Sequence, residues 1–132
     1  MENDYKCPKC HGNIRIDESI ILSAHHKKSH NGLVLLHPEP GNYDVITHPG
    51  FKYEAGDIID FYCPICHHNL DSDKHLNLAM IVMTDDKGQD FDIYFSKVAG
   101  EQSTLKMIGE HMEVYGDHSK GYLDFFNLSQ NF

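Results

Sequence analysis

The fold of this chain depends on two stretches of eight residues, Cys7-Pro8-Lys9-Cys10-His11-Gly12-Asn13-Ile14 and Cys63-Pro64-Ile65-Cys66-His67-His68-Asn69-Leu70. Both follow one pattern, Cys-Pro-X-Cys-His-X-Asn-apolar, and together they contain all four cysteines of the protein. A Cys-X-X-Cys turn can direct both thiols to one side, and two such turns can supply the four sulfur ligands of a tetrahedral Zn²⁺ site. Paired motifs of this kind are a strong indication of a metal site. The sequence therefore predicts that the two stretches meet around one ion.

The other shared residues suit a tight turn. The proline after the first cysteine fixes φ at about −65° and has no N–H group that could lack a partner. The residue after the second cysteine, His11 in one stretch and His67 in the other, is predicted to have a left-handed backbone. Histidine tolerates that conformation better than most other non-glycine residues.

On these two motifs the chain resembles the zinc ribbon superfamily, including its rubredoxin-like members, whose paired knuckles often read Cys-Pro-X-Cys. The resemblance implies one structural Zn²⁺ per chain, held on short β-hairpins by four ligands: Cys7, Cys10, Cys63 and Cys66. It covers only the two motifs, and 52 residues separate Cys10 from Cys63, where the compact pattern has about 15 to 20. Zinc bound by four cysteines is coordinatively closed, so its implied role is stability and not catalysis.

Other readings of the same cysteines predict different functions. Cys-X-X-Cys-His is also the attachment motif of c-type haem, and it occurs twice. Iron held by four thiolates has the same geometry as the zinc site, and either group would make the protein an electron carrier. Haem attachment and disulfides both require export, but Met-Glu-Asn-Asp-Tyr-Lys at the start of the sequence lacks the features of a signal peptide. We therefore expect a cytoplasmic protein that binds zinc.

The composition limits the classes of partner. The chain has 132 residues, and 20 acidic residues outnumber 11 basic ones, which gives a formal net charge of −9. Nucleic acid is disfavoured as a partner because contacts to phosphates need clustered lysines and arginines. No apolar run is long enough to cross a bilayer. We expect a protein partner, and the sequence does not identify it or the oligomeric state.

Eleven histidines are an unusual number for this length. Most are expected at the surface or in turns, because many lie beside Gly, Pro, Asn or Ser. The alternative is a metal-dependent enzyme with a second, histidine-rich site, for which the candidates are His25, His26, His30, His111 and His118. The sequence contains no glycine-rich phosphate loop, nucleophile elbow or zinc-protease motif. It therefore favours a non-enzymatic interaction or regulatory module.

The remaining segments indicate β structure. Residues 17–32 fit a helix or a strand, and the β-branched run from Ser19 to Ser23 favours the strand. Residues 33–36 and 43–47 predict a hairpin, and residues 58–62 predict a strand that leads into Cys63. Four more strands are predicted in 76–84, 91–95, 104–108 and 111–115, with Gly88 in a left-handed turn conformation.

The predicted architecture is mainly β, with zinc-ribbon knuckles joined to a small antiparallel sheet or meander and little helix. Residues 1–70 would form the zinc-ribbon region with a β-rich insertion between the knuckles. Residues 71–132 would form a β-meander packed against it in one compact unit. We expect the aromatic residues near the end of the chain to pack on the sheet, because exposed aromatic surface is unfavourable in water; these are Tyr122, Phe125, Phe126 and Phe132.

Overall fold

The computed structural model describes residues 3–27, 30–39, 41–108, 111–119 and 122. Within those ranges it is mainly β, as predicted, with strands arranged in two antiparallel sheets and no α-helix. The strands are β1 Asp4–Lys6, β2 Arg15–Ile16, β3 Ser19–His26, β4 His30–Leu36, β5 Val45–Thr47, β6 Asp60–Tyr62, β7 Leu78–Thr84, β8 Asp90–Ser96, β9 Thr104–Ile108 and β10 His111–Tyr115.

The first sheet contains the predicted meander. Its strand order is β1-β7-β8-β9-β10, so the four later strands follow one another in space as in sequence. Gly88 has a φ of 80° in the turn between β7 and β8, which confirms the left-handed conformation expected there. The sequence did not predict that β1 would join this sheet, where Tyr5 pairs with Met83. This pairing attaches the strand before the first knuckle to the meander.

The second sheet is formed by the segment that includes the insertion between the knuckles. Its order is β2-β3-β4-β5, and β6 also pairs with β3. The strand prediction for residues 17–32 is confirmed, since every second residue of β3 is buried, from Ile20 to His26. A period of two is typical of a strand with one face on the core, whereas a helix would bury residues three and four positions apart. The predicted hairpin is the pairing of β4 with β5.

Residues from both sheets form one hydrophobic core. Ile81, Met83 and Ile93 contribute from the first sheet, and Leu22 and Val34 contribute from the second. The first cysteine of each knuckle, Cys7 and Cys63, belongs to the same buried cluster. The core therefore holds one side of each knuckle in place.

Several predictions concern the second half of the chain. Tyr122 is buried against Leu78, Tyr94 and Leu105, in agreement with the expected packing on the sheet. Phe125, Phe126 and Phe132 lie outside the described residues. The proposed division of the chain at residue 70 stays a prediction.

Among the residues that the structure describes, no helix has the length and hydropathy required to span a membrane.

Candidate metal centre

The first knuckle is a tight turn at the end of two antiparallel segments. The amide of Cys7 donates to the carbonyl of Gly12 at 3.1 Å, and the amide of His11 donates to the carbonyl of Cys7 at 3.0 Å. Further from the turn, the amide of Ile14 donates to the carbonyl of Tyr5 at 2.8 Å. Tyr5 and Ile14 are both buried, so the residues that flank the turn pack into the hydrophobic core.

The second knuckle repeats the same hydrogen bonds. The amide of Cys63 donates to the carbonyl of His68 at 3.0 Å, and the amide of His67 donates to the carbonyl of Cys63 at 2.9 Å. The amide of Leu70 donates to the carbonyl of Phe61 at 2.9 Å, and both of these side chains are buried. The sequence repeat is thus a structural repeat in which corresponding residues have the same partners.

The histidine of each knuckle has the predicted backbone conformation. His11 has a φ of 61° and His67 a φ of 66°, both in the left-handed region. Both side chains are exposed, so their shared position reflects the backbone of the turn.

The shared asparagine has a structural role that the sequence analysis did not assign. The Oδ1 atom of Asn13 accepts a hydrogen bond from the amide of Arg15 at 2.9 Å, and Asn69 does the same for Asp71 at 2.7 Å. This side-chain-to-backbone bond two residues along the chain is the usual Asx turn. It fixes the exit of the chain from each knuckle.

The two knuckles bring all four cysteines together. The Sγ atoms of Cys7 and Cys66 are 3.8 Å apart, as are those of Cys10 and Cys63, and all four lie within 4.8 Å of one another. A tetrahedron with Zn–S bonds of about 2.3 Å has sulfur atoms about 3.8 Å apart. The four cysteines are free thiols, and these Sγ–Sγ distances are much longer than the disulfide bond length of about 2.05 Å. The cluster could therefore hold one metal ion.

The arrangement also bears on the haem alternative. In c-type haem each Cys-X-X-Cys-His motif attaches its own porphyrin. Here the sulfurs that lie 3.8 Å apart come from different motifs, because Cys7 faces Cys66 and Cys10 faces Cys63. Sulfur atoms that are directed at one another share a small central space, which suits an ion and not two porphyrins.

Backbone amides surround the sulfur atoms. The amide of Lys9 lies 3.3 Å from the Sγ atom of Cys7, and the amide of Ile65 lies 3.3 Å from that of Cys63. Such N–H groups stabilise a thiolate. Burial nevertheless raises the pKa of the Cys7 thiol to about 12, with the nearby amides acting in the opposite direction. A divalent cation at the centre would deprotonate coordinating thiols outright.

The candidate histidines do not form a second cluster in the part of the chain that is described. Within it, the four cysteines are the only group of three or more metal-ligating side chains. His25 contacts the side chain of Asn31, and His26 lies 2.9 Å from Asp57. His118 accepts a hydrogen bond from an amide, His111 is exposed at the start of β10, and the side chain of His30 is outside the description.

Two cations that the sequence analysis missed connect the segments around the knuckles. The Nζ atom of Lys97 lies 2.8 Å from Asp60, which precedes the second knuckle, and 2.7 Å from Asp71, which follows it. The guanidinium of Arg15 donates to the carbonyls of Asn3 at 2.7 Å and Asp17 at 2.8 Å around the first knuckle. Arg15 and the two aspartates flank the knuckle motifs, but Lys97 lies 26 residues beyond Asp71, so no local pattern indicates that it pairs with them.

No protein-family model, curated protein or solved structure matches this chain. The likeness to zinc ribbons therefore depends on the two cysteine motifs alone.

Proposed function

We propose that the protein is a zinc-binding, non-enzymatic module in which Cys7, Cys10, Cys63 and Cys66 ligate one structural Zn²⁺. The observation that carries this proposal is the Sγ separation of 3.8 Å between knuckles, which equals the edge of a zinc–thiolate tetrahedron. Four cysteine ligands leave no open coordination position for water or substrate. The ion joins the chain at residues 7–10 to the chain at residues 63–66, so its binding energy contributes to folding.

Metal analysis and unfolding of the purified chain test this proposal. We expect about one zinc per chain, and we expect Cys7→Ser and Cys63→Ser each to abolish stoichiometric zinc binding. Each substitution should lower the free energy of unfolding by about 4 kcal/mol or more, the range typical of a lost metal site. Chelation of the wild-type protein should lower the melting temperature to that of the cysteine variants.

The exposed histidines beside the cysteines provide the matched control. His11→Asn and His67→Asn preserve a residue that tolerates the left-handed backbone, and they should leave zinc content and stability unchanged. One equivalent of iron with visible absorption would support the electron-carrier alternative instead. Unaltered stability after complete metal removal would contradict a structural role for the ion.

A protein partner is the second part of the proposal, and the second sheet supports it. On the face of this sheet away from the core, Leu35 pairs with Ile21 on one side and with Ile46 on the other. Leu33, two residues before Leu35, lies on the same face. Leu33 is 55% exposed and Ile46 is 63% exposed. We call these four residues the outer apolar face, and contiguous exposed apolar side chains often mark an interaction surface.

Site-specific photo-crosslinking in the cells of origin tests this surface. A crosslinker at position 46 should capture one discrete protein species, and Leu33→Asp should abolish the product without changing zinc content. Val114, which is 43% exposed on β10 of the first sheet, is the matched control position. The same product from both positions, or its persistence in Leu33→Asp, would contradict the assignment of the outer apolar face.

A further inference from the structure

The two ends of the second sheet carry opposite charges. Asp17 and Glu18 form the turn between β2 and β3, and Asp44 precedes β5 at the same end of the sheet; all three are exposed. At the other end, β3 leads into the exposed Lys27, and the next residue in sequence is Lys28. The sheet is therefore polarised along its strands, with a negative end and a positive end.

Other ionic groups near these ends do not cancel the polarity. At the negative end, Arg15 is 10% exposed and lies 4.0 Å from Glu18, so it neutralises only part of the acidic charge there. At the positive end, Asp57 lies 2.9 Å from His26, and Asp60 lies 2.8 Å from Lys97. The carboxylates at the positive end thus have partners within their own chain.

Between the two ends, the side of the sheet away from the core carries almost no charge. The strand register places the following residues of β2 to β5 on that side: Ile16, Ser19, Ile21, Ser23, His25, Asn31, Leu33, Leu35 and Ile46. This set contains no carboxylate, although the chain has a net charge of −9. Like charges across an interface are unfavourable. A second copy of such an acidic chain therefore meets little repulsion on this side of the sheet.

A two-fold axis that crosses the strands at mid-length brings the opposite ends of two copies together. The middle of β3 lies between Leu22 and Ser23, and Glu18 and Lys27 are equally far from it in sequence. Packed sheets keep their strands nearly aligned. If the strands of the two copies are antiparallel, Glu18 of one copy faces Lys27 of the other, and symmetry repeats the pair. The outer apolar face then lies at the centre of the contact.

We propose that a second copy of this chain covers the outer apolar face, in a two-fold symmetric dimer in which Glu18 of each copy pairs with Lys27 of the other. The inference rests on the proposed function, because it names the occupant of the surface assigned there to a protein partner. Burial of the apolar side chains contributes most of the affinity, and the charged ends fix the antiparallel orientation.

The size of the sheet sets the expected affinity. β2 and β6 together flank β3 on one side, and β4 and β5 follow on the other, which makes the sheet about 19 Å wide at a strand spacing of about 4.8 Å. The eight residues of β3 span about 26 Å, so each copy buries about 500 Å². A total of about 1,000 Å² is at the lower limit for specific interfaces, so we expect a reversible dimer with a Kd of about 10 μM.

Sedimentation equilibrium of the purified chain, at concentrations from below to well above this Kd, measures the association. Leu33→Asp should abolish the dimer, because it places a carboxylate at the centre of the contact. Val114→Asp is the matched control on β10 of the first sheet and should leave the Kd unchanged. Both positions are partly exposed, at 55% and 43%, so we expect both variants to fold. Zinc content and melting temperature are measured in parallel.

Charge reversal tests the orientation of the two copies. Lys27→Glu and Glu18→Lys should each weaken the dimer about tenfold, and the double variant should restore most of the affinity. Glu18→Lys makes the net charge less negative, so a dimer limited only by general repulsion would instead become tighter. Lys87→Glu, in the exposed turn between β7 and β8, changes the charge as Lys27→Glu does and should shift the Kd less than about twofold.

A zero-length carbodiimide crosslink locates the contact in the wild-type protein. Glu18 and Lys27 of one chain are separated by the length of β3, about 30 Å, so a link between them must join two copies. In a mixture of ¹⁴N- and ¹⁵N-labelled chains, the linked peptides should carry both labels.

The outcomes separate this inference from the proposed function. A chain that is monomeric at every concentration, while position 46 captures a different protein in cells, would overturn the dimer and leave the partner surface intact. A dimer that persists in Leu33→Asp, or becomes tighter in Glu18→Lys, would also overturn the inference. A monomeric chain from which position 46 captures nothing would overturn both.

Discussion

The two knuckles have the same backbone and different surroundings. Each has a fully buried first cysteine, an exposed second cysteine and a left-handed histidine, so the repeat specifies the turn and the sulfur positions. The side chains at other corresponding positions differ. Tyr5 of the first knuckle corresponds to Phe61 of the second, and the polar Lys9 corresponds to the apolar Ile65.

The connections to the rest of the fold differ accordingly. The first knuckle is connected by the hydroxyl of Tyr5, which donates to the carbonyl of Pro38, and by Arg15, which donates to backbone carbonyls. The second is connected by Lys97, which is ion-paired with Asp60 and Asp71. The repeat therefore specifies the metal geometry, whereas residues outside the repeat specify how each knuckle is attached to the rest of the fold.

The largest expected difference between the knuckles concerns alkaline stability. Burial raises the pKa of Tyr5 to about 12, with Arg15 acting in the opposite direction, whereas Phe61 cannot titrate. The folded-state pKa lies above the unfolded value of about 10. The stabilisation by protonated Tyr5 is therefore fully present below about pH 10 and is lost as the pH rises toward 12. The first knuckle should therefore weaken at high pH through a residue that the second does not have.

Tyr5→Phe tests this by chemical unfolding at several pH values. At neutral pH the variant should be less stable by about 1 kcal/mol, because the carbonyl of Pro38 loses its donor. From about pH 9 to about pH 12 the wild-type protein should lose about 2 kcal/mol relative to the variant. Other tyrosines with raised pKa values, such as Tyr94, give both proteins a common alkaline loss. Parallel pH profiles for the two proteins would show that Tyr5 does not titrate in this range.

The second prediction compares the two cations. Lys97 is 5% exposed, but its partners Asp60 and Asp71 are 37% and 46% exposed, so water would hydrate the carboxylates if the lysine were lost. Lys97→Met should therefore cost about 1.5 kcal/mol, less than a fully buried ion pair. Arg15→Met should cost about 1 kcal/mol or less, since its guanidinium donates to neutral carbonyls and its ion pair with Glu18, at 4.0 Å, involves a carboxylate that is 68% exposed.

A double-mutant cycle with Asp71→Asn separates the two effects. Lys97→Met should couple to it by about 1 kcal/mol, whereas Arg15→Met should be additive with it. Burial alone would lower the pKa of Lys97, but the hydrogen bonds that its ammonium donates to Asp60 and Asp71 outweigh burial and raise it. The stabilisation by Lys97 is therefore present below about pH 10.4 and lost as the pH rises through the folded pKa. Equal coupling for both cations would contradict the comparison.

The sequence predicted what depends on local pattern and could not predict what depends on pairing. The left-handed turns at His11 and Gly88 follow from steric preference, and the strand that the structure shows at Ser19–His26 was predicted from the β-branched run at its start. The convergence of the cysteines could be predicted because metal chemistry requires four ligands. The pairing of β1 with β7 and the position of Lys97 between two aspartates bring together distant residues without a motif. Such contacts are selected by the whole fold.

The smallest expected effect tests how the knuckles contact each other. A Cβ atom added to Gly12 would lie 2.6 Å from Cδ1 of Ile65, because the isoleucine of the second knuckle packs over the glycine of the first. Ile65 is 56% exposed and its end can move, so Gly12→Ala should cost only about 1 kcal/mol by urea unfolding. The double variant Gly12→Ala with Ile65→Ala should recover most of that loss, since the contact is then relieved. His68→Ala, at the corresponding position of the second knuckle, should change stability by less than about 0.5 kcal/mol. If Gly12→Ala is equally destabilising with and without Ile65, the cause is the approach of the added methyl group to Sγ of Cys10, at 3.3 Å, and not the contact between the knuckles.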